Sequence, residues 1–382
     1  MSARYVDPSD GRTYAVDRPM WRSPTGGYLN LSRSEGLTRA EIDTSCYSVW
    51  RYAKAIRVDV TQAVTLGEGW TPLIDIDWEG MRTVAKLEFM MPTGSFKDRG
   101  MTVLVSYLKR CGLTRVLEDS SGNAGASLAA YAAAAGIEAR ILVPETASYA
   151  KIAQMAATGA DVMTFPGSRQ DVADAALAMS AQIFYASHNR QAFFAEGTKT
   201  LAYELWEQMG FRAPDNIVVP LGYGSNVMGC EYGFHELLAN GEITRVPRIF
   251  GVQAANCAPY HAAFAAGVEH LVPTDIQATV AEGIASSKPT RVREVLTAIR
   301  ASGGAVIAVS EEEIGGALAT LARKGCYVEP TSAAAAAGLT QLIRAGTIDA
   351  QQTTVLVLTG SGLKSGERIG ELLKLGARRM VP

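Results

Sequence analysis

An α/β fold, with mostly parallel sheets covered by helices, is what this chain predicts, and three observations predict it. Apolar runs of strand length alternate with longer stretches of helical period. Runs such as "IVVP" and "VLVL" lack polar alternation, the mark of strands buried on both faces. Each run is followed by a helical segment or a Gly-rich turn, which places candidate ligand loops at the carboxyl ends of the strands.

The elements follow in order. The first sixty or so residues are irregular and are expected to form an arm that folds onto the body. A βαβα block comes next: "RVLEDS" then "NAGASLAAYAAAAG", "ARILVP" then "YAKIAQMAATGA", "DVMTFP" then "RQDVADAALAMSAQ". A second block resumes with "NIVVPLG", "RIFGVQA", "AVIAVS" and "TTVLVLTG", predicting a second mostly parallel sheet. The alanine runs at 129–135 and 333–337 predict tight helix packing. No internal repeat or low-complexity linker interrupts the pattern.

Composition narrows the function. With 382 residues, 48% hydrophobic and 19% charged, the chain can bury a large core and is long enough for two domains. A net charge of -2 without a block of lysine or arginine excludes the electrostatics of nonspecific nucleic-acid binding. The N-terminus has no apolar signal region and no run reaches the roughly 18 residues of a membrane span, so a cytoplasmic protein is expected, with no membrane partner. Five scattered cysteines and four histidines show no ligand spacing, which predicts reduced thiols and no metal.

Four strand-end loops carry candidate chemistry. In "PTGSFKDRG", Pro92 and Gly94 make a turn and Lys97 falls in the first turn of a helix, where the backbone dipole and burial lower an ammonium's pKa; that suits a Schiff-base lysine. A surface lysine is ordinarily solvated and idle, so the other loops decide. In "DSSGNAG", Ser120, Ser121, Gly122 and Asn123 offer free N–H groups to a carboxylate. In "VPLGYGSNVMG", Gly222 and Gly224 form a backbone nest for a phosphate. The spacing is not GxGxxG and no acid ends the next strand, which argues against a dinucleotide. The fourth loop, "VLVLTGSGLKS", sets Thr359 and Ser361 among glycines, where a hydroxyl can meet a ring nitrogen. Together these are the parts a pyridoxal phosphate enzyme needs.

The segments "PTGSFKDRG", "SSGNAG", "LGEGWTPL", "SVWRY", "EGTKTLAYE", "VEPTSAAAAAG" and "LTGSGLK" resemble the threonine synthase branch of the tryptophan synthase β-like, fold type II pyridoxal phosphate enzymes, over nearly the full chain. The resemblance implies pyridoxal 5'-phosphate carried on Lys97, which also acts as acid and base. It implies that Asn123 meets the ring hydroxyl, that Gly222, Tyr223, Gly224, Ser225 and Asn226 hold the phosphate, and that Thr359 faces the pyridine nitrogen. The expected organisation is an arm over 1–60, a large cofactor-binding domain over 61–89 plus 190–382, and a small mobile domain over 90–189. A homodimer is expected, with a small amino acid bound by Ser120, Ser121, Gly122, Asn123 and Phe194, and effector control by an appended domain is not expected.

Departures from that branch bear on the substrate. Threonine synthases act on O-phosphohomoserine, and their "NPxRLEGQKT" segment supplies an arginine for its phosphate; here "NRQAFFAEGTKT" puts Phe194 in that place. Ala124 replaces a threonine, Tyr223 an asparagine, and "TVAEGIASSKP" replaces "TAIRIG" around Glu282 and Ser286. Losing one charged bond to a desolvated phosphate costs roughly 2 to 5 kcal/mol. The leading expectation is therefore a lyase acting on a small unphosphorylated amino acid, by β-elimination or β-replacement. The alternatives are a threonine synthase with a rearranged pocket, or a cofactor-binding regulatory protein without turnover. Near the start, "YVDPSDGRTY" resembles "CxxCGxxY" with Asp7 and Asp10 in the cysteine positions, so a zinc ribbon is lost and the aspartates are expected to cap a surface turn.

Overall fold

The computed structural model describes residues 3–375 apart from Ser168. Three strands open the chain, β1 (Arg4–Val6), β2 (Thr13–Ala15) and β3 (Asn30–Leu31), forming an antiparallel sheet of order β2-β1-β3. The hairpin β4 (Leu73–Trp78) and β5 (Met81–Lys86) follows, turned by Glu79 and Gly80, whose left-handed φ of 52° and 77° give the two-residue turn that matches strand twist. Next come α1 (Lys97–Arg110), β6 (Arg115–Glu118), α2 (Asn123–Ala135), β7 (Glu138–Pro144), α3 (Tyr149–Ala157), β8 (Asp161–Phe165), α4 (Arg169–Met179) and β9 (Phe184–Tyr185). These strands make a parallel sheet of order β8-β7-β6-β9.

The remainder runs α5 (Ala192–Thr198), α6 (Thr200–Gln208), β10 (Asn216–Pro220), α7 (Ser225–Ala239), β11 (Arg248–Ala254), α8 (Pro259–Ala265), α9 (Val292–Ala301), β12 (Val306–Val309), α10 (Glu311–Arg323), α11 (Pro330–Arg344), β13 (Thr354–Val357) and α12 (Gly366–Leu372). Its sheet has the order β12-β11-β10-β13-β5-β4, parallel except for the β4–β5 pair. Both faces are covered. Ile217, Val219, Val355 and Val357 pack into one core with Leu201, Leu237 and Leu296, while Val218, Leu356 and Leu358 pack into another with Leu318, Leu321 and Ala333 to Ala337. Each such aliphatic side chain contributes about 1.5–3 kcal/mol of burial. The alanine run of α11 is buried as expected, whereas Ala133 and Ala134 of α2 face outward.

The arm lies on α1 and α5. Tyr5 is fully buried, donates to Tyr107 Oη (2.8 Å), and meets Phe193 edge to face. One expectation needs correction. Asp7 does hold a turn, but not at the surface: it is buried, accepting from the Ser9 amide and hydroxyl (2.9 and 2.6 Å) and from Thr25 (3.0 Å). Those bonds hold its carboxyl well below the usual range. Asp10 caps outside, accepting from Arg12 N at 2.9 Å.

Beneath α1 lies a buried ion lattice. Arg99 makes paired bonds to Glu88 (2.7 and 2.7 Å) and to Glu204 (2.9 and 2.8 Å), and Lys86 binds Glu204, Thr71 O (2.7 Å) and Gln208 Oε1 (2.7 Å). Lys86, Glu88, Arg99 and Glu204 are all fully buried. Burial by itself raises the Glu204 carboxyl, but Arg99 and Lys86 overcome it and hold the group far below the usual range. Among the described residues no helix is long and apolar enough to cross a membrane, and no group of three or more His, Cys, Asp or Glu side chains could hold a metal.

Candidate active site

Lys97 begins α1, and the turn before it is tied at several points. Phe96 N donates to Thr359 O (3.0 Å), Ser361 N to Gly94 O (2.9 Å), and the Asp98 carboxyl accepts from Thr93 N (2.7 Å) and Ser127 Oγ (2.6 Å). Burial pushes the Asp98 carboxyl up to about 6 despite those donors. The Lys97 amine stands 3.8 Å from the centre of the Phe96 ring. Burial lowers it to about 8, with Glu329 opposing the shift. More of it is therefore neutral near pH 7 than of an ordinary lysine.

The other three loops end strands around it. Ser120 to Asn123 follow β6 and open α2, and no side chain caps that helix. A Cβ on Gly125 would lie 2.0 Å from Ser120 O, so only glycine lets the helix approach the loop so closely. Gly222 to Asn226 follow β10. Gly224, left-handed at φ 89°, starts the 15-residue α7 without a side-chain cap, leaving first-turn N–H groups for an anion. Asn226 Oδ1 is buried with no hydrogen-bond partner. Thr359 follows β13 and is held by Ser332 at 3.1 Å.

All four loops line one cavity of about 280 Å³, which brings together Lys97, Ser120, Ser121, Gly122, Asn123, Gly222, Tyr223, Gly224, Ser225, Asn226 and Thr359. Phe194 is placed elsewhere. It lies one layer back, against Gly100, where a Cβ would be 2.4 Å from its ring, and edge-on to His188 at 5.4 Å; it borders a void of only about 20 Å³.

Several lining residues were not expected: Lys151, Arg169, His188, Glu329 and Thr331. Glu329 accepts from Asn123 Nδ2 (3.0 Å), while Lys364 donates to Asn123 Oδ1 (3.0 Å) and is lowered by burial to about 8. His188 N donates to Glu118 Oε2 (3.2 Å). Burial, aided by Asp119, raises the Glu118 carboxyl well above its usual range, and burial beside Lys97 keeps His188 neutral. Arg169 pairs with Asp119 at 2.7 Å. A signal for them existed: Lys151, Arg169 and His188 follow β7, β8 and β9, so the strand-end rule reaches every strand of that sheet.

The family described as pyridoxal-phosphate dependent enzyme matches residues 64–360, which hold Lys97, the turns at 120–123 and 222–226, and Thr359. The chain belongs to that family. This pyridoxal-phosphate dependent enzyme is 36% identical over 373 residues to a threonine synthase of Methanocaldococcus jannaschii, covering 93% of this chain and 91% of the relative. It is 37% identical over 341 residues to a threonine synthase of Methanosarcina acetivorans, covering 86% and 83%. Similar solved folds include the processed threonine deaminase isoform 2 of Solanum lycopersicum (TM-score 0.69, 20% identity, 94% of this chain and 97% of that one) and a fungal L-serine ammonia-lyase from Rhizomucor miehei (TM-score 0.69, 22%, 80% and 97%). The residues present fit the cofactor. The amine of Lys97, the uncapped N-terminus at Gly224 and the unpartnered Asn226 Oδ1 surround a space that these elements leave open.

Proposed function

We propose that this pyridoxal phosphate lyase acts on a small, unphosphorylated amino acid, by β-elimination with ammonia release or by β-replacement. The observation that carries the reading is the placement of Phe194: where an arginine would reach a substrate phosphate, an aromatic ring is packed on α1 behind neutral His188. Without that arginine, desolvating a phosphate dianion at this place would be costly, whereas a hydroxyl or amino substituent needs far less.

Bound pyridoxal phosphate supplies an electron sink for the bond-breaking at Cα. The chain supplies the rest. Main-chain N–H groups from Gly222 to Asn226 would bind the cofactor phosphate, and Thr359 Oγ1, fixed by Ser332, would offer a neutral hydroxyl to the ring nitrogen. Asn123, gripped from both ends by Glu329 and Lys364, orients the ring. The Ser120–Asn123 turn binds the substrate carboxylate. Lys97, with its amine lowered to about 8, would take the Cα proton and pass a proton to the departing β substituent, or, in β-replacement, return one to Cα after the new group has added.

A second reading, threonine synthase, is favoured by the names of the relatives and by two cations in the cavity, Lys151 and Arg169. Assaying serine, threonine, diaminopropionate and O-phosphohomoserine side by side separates the two. Keto acid and ammonia from an unphosphorylated substrate support the first reading. Efficient phosphate release with threonine as product replaces it with the second.

A further inference from the structure

We propose that the substrate carries a second carboxylate, beyond Cα, and that Arg169 and Lys151 receive it. This rests on the lyase reading above and names its substrate class: amino dicarboxylic acids with a β leaving group.

The two cations come from different helices, α4 and α3, yet both line the cavity that holds Lys97 and the Ser120–Asn123 turn. Arg169 is held from behind. Its Nη2 donates to Asp119 Oδ2 at 2.7 Å, and Asp119, with a side chain only 3% exposed, also accepts from Tyr185 Oη at 2.8 Å. A guanidinium has five N–H donors in a planar fork, so one anchored edge leaves donors directed elsewhere, in a geometry that matches a carboxylate. Arg169 therefore starts prearranged, with its anchor buried and its own side chain 43% exposed.

Charge selects the ligand. Lys151 Nζ is 3.4 Å from Glu282 Oε2, a loose contact whose acid is 59% exposed and free to turn toward water. Arg169 and Lys151 are thus set against Asp119 and Glu282, a sum of zero. When Glu282 turns away, an incoming monoanion restores neutrality, with two cations facing Asp119 and the ligand. A phosphate dianion in the same place leaves an excess negative charge, and a neutral side chain leaves Lys151 with Glu282 and gains no charged bond from the free edge of Arg169. His188, the nearby imidazole, is neutral and changes none of this.

The pair L-aspartate and L-asparagine isolates the charge, because the two share shape and size; L-alanine reports the contacts common to every amino acid. Each is titrated into the cofactor-loaded enzyme, with binding read by calorimetry and by the cofactor's absorption band. Aspartate is expected to bind at least about tenfold tighter than asparagine. In Arg169→Gln that ratio falls to about one, and in Arg169→Lys it is partly kept. Equal affinities in the unmodified enzyme, or no aspartate binding, overturn the proposal. So does an Arg169→Gln variant that weakens all three ligands by one factor, which would assign Arg169 to the carboxylate on Cα. Turnover gives a second test: 3-hydroxyaspartate should exceed serine in kcat/KM, and the reverse order counts against the proposal. These outcomes leave the lyase reading standing; that reading fails separately, by phosphate release from O-phosphohomoserine.

Discussion

Two polar clusters sit on opposite sides of one short stretch of helix. Arg99 points into the buried lattice with Glu88, Glu204 and Lys86, and Lys97, two residues earlier, faces the cavity. Two positions along an α-helix turn the side chain by about 200°, so one sequence segment serves both sides. In the lattice every charge meets an opposite charge at hydrogen-bond distance. In the cavity the Lys97 amine is desolvated to about 8, and three buried polar atoms of lining residues, His188 Nδ1, Asn189 Oδ1 and Asn226 Oδ1, have no hydrogen-bond partner. Satisfied charges fix a backbone, and unsatisfied polar groups leave capacity for something else to bind. Glu204 extends the lattice further, accepting from the amides of Trp70 and Thr71, so the segment "LGEGWTPL" is tied to the same anchor.

The comparison breaks most dramatically at Lys97. Lys97→Ala should lower turnover by at least about 10³-fold, since both the cofactor's attachment point and the proton carrier are lost. Its unfolding midpoint should stay level or rise, because the lost group is a desolvated amine. Borohydride reduction of the unmodified enzyme and peptide mapping should find the label on Lys97; a label on Lys86, Lys199 or Lys364 would refute the assignment. Cofactor uptake by the free protein should also depend on pH with a midpoint about 8, rising as pH increases, because the attacking amine must be neutral. A midpoint near the ordinary lysine value of about 10.4 would contradict the burial argument.

The lattice side should answer in stability. Arg99→Met leaves two buried carboxylates facing Lys86 alone and should cost about 3–5 kcal/mol in urea unfolding. A loss under about 1 kcal/mol would mean that water reaches the lattice. Next in size is the glycine loop. Gly224→Val puts a Cβ 2.3 Å from Val295 Cγ2 at a left-handed φ and should strip most of the cofactor, read from its absorption after dialysis. Ser225→Ala should keep it, because the phosphate contacts proposed there are main-chain. The smallest effect belongs to an exposed control: Arg82 bonds Asp75 at 2.9 Å with both side chains more than half exposed, and Arg82→Ala should shift stability by less than about 0.5 kcal/mol.

How legible these regions are follows from the range of their interactions. Strand ends announce themselves locally, through an apolar run followed by glycine, serine or asparagine, and so eleven residues of the cavity wall could be named from the sequence. The lattice could not be named. Lys86, Glu88, Arg99 and Glu204 are separated by as many as 118 positions, and each alone reads as a surface charge. Phe194 was misplaced for a related reason: its motif position is local, but its direction is set by the missing Cβ of Gly100 on another helix. Asp7 looked like an exposed cap because its second partner, Thr25, is 18 residues away. Arg169 and His188 had the right local address and lacked a neighbouring motif to mark them.

The strand order carries a consequence for how the protein is made. β13, residues Thr354–Val357, lies between β10 and β5 and supplies hydrogen-bonded neighbours to both. During synthesis, which proceeds from the N-terminus, the four-stranded sheet is complete once residue 185 has emerged. The six-stranded sheet cannot close until some 170 residues later, and until then β5 and β10 carry unpaired edges. Thr359, two residues past β13, arrives with that closure. A nascent chain stopped before β13 therefore has the lysine and three of the loops but no continuous floor to hold them, so the capacity to take up cofactor should appear late and all at once on the ribosome, as the last central strand slides into a gap that the rest of the sheet has kept open for it.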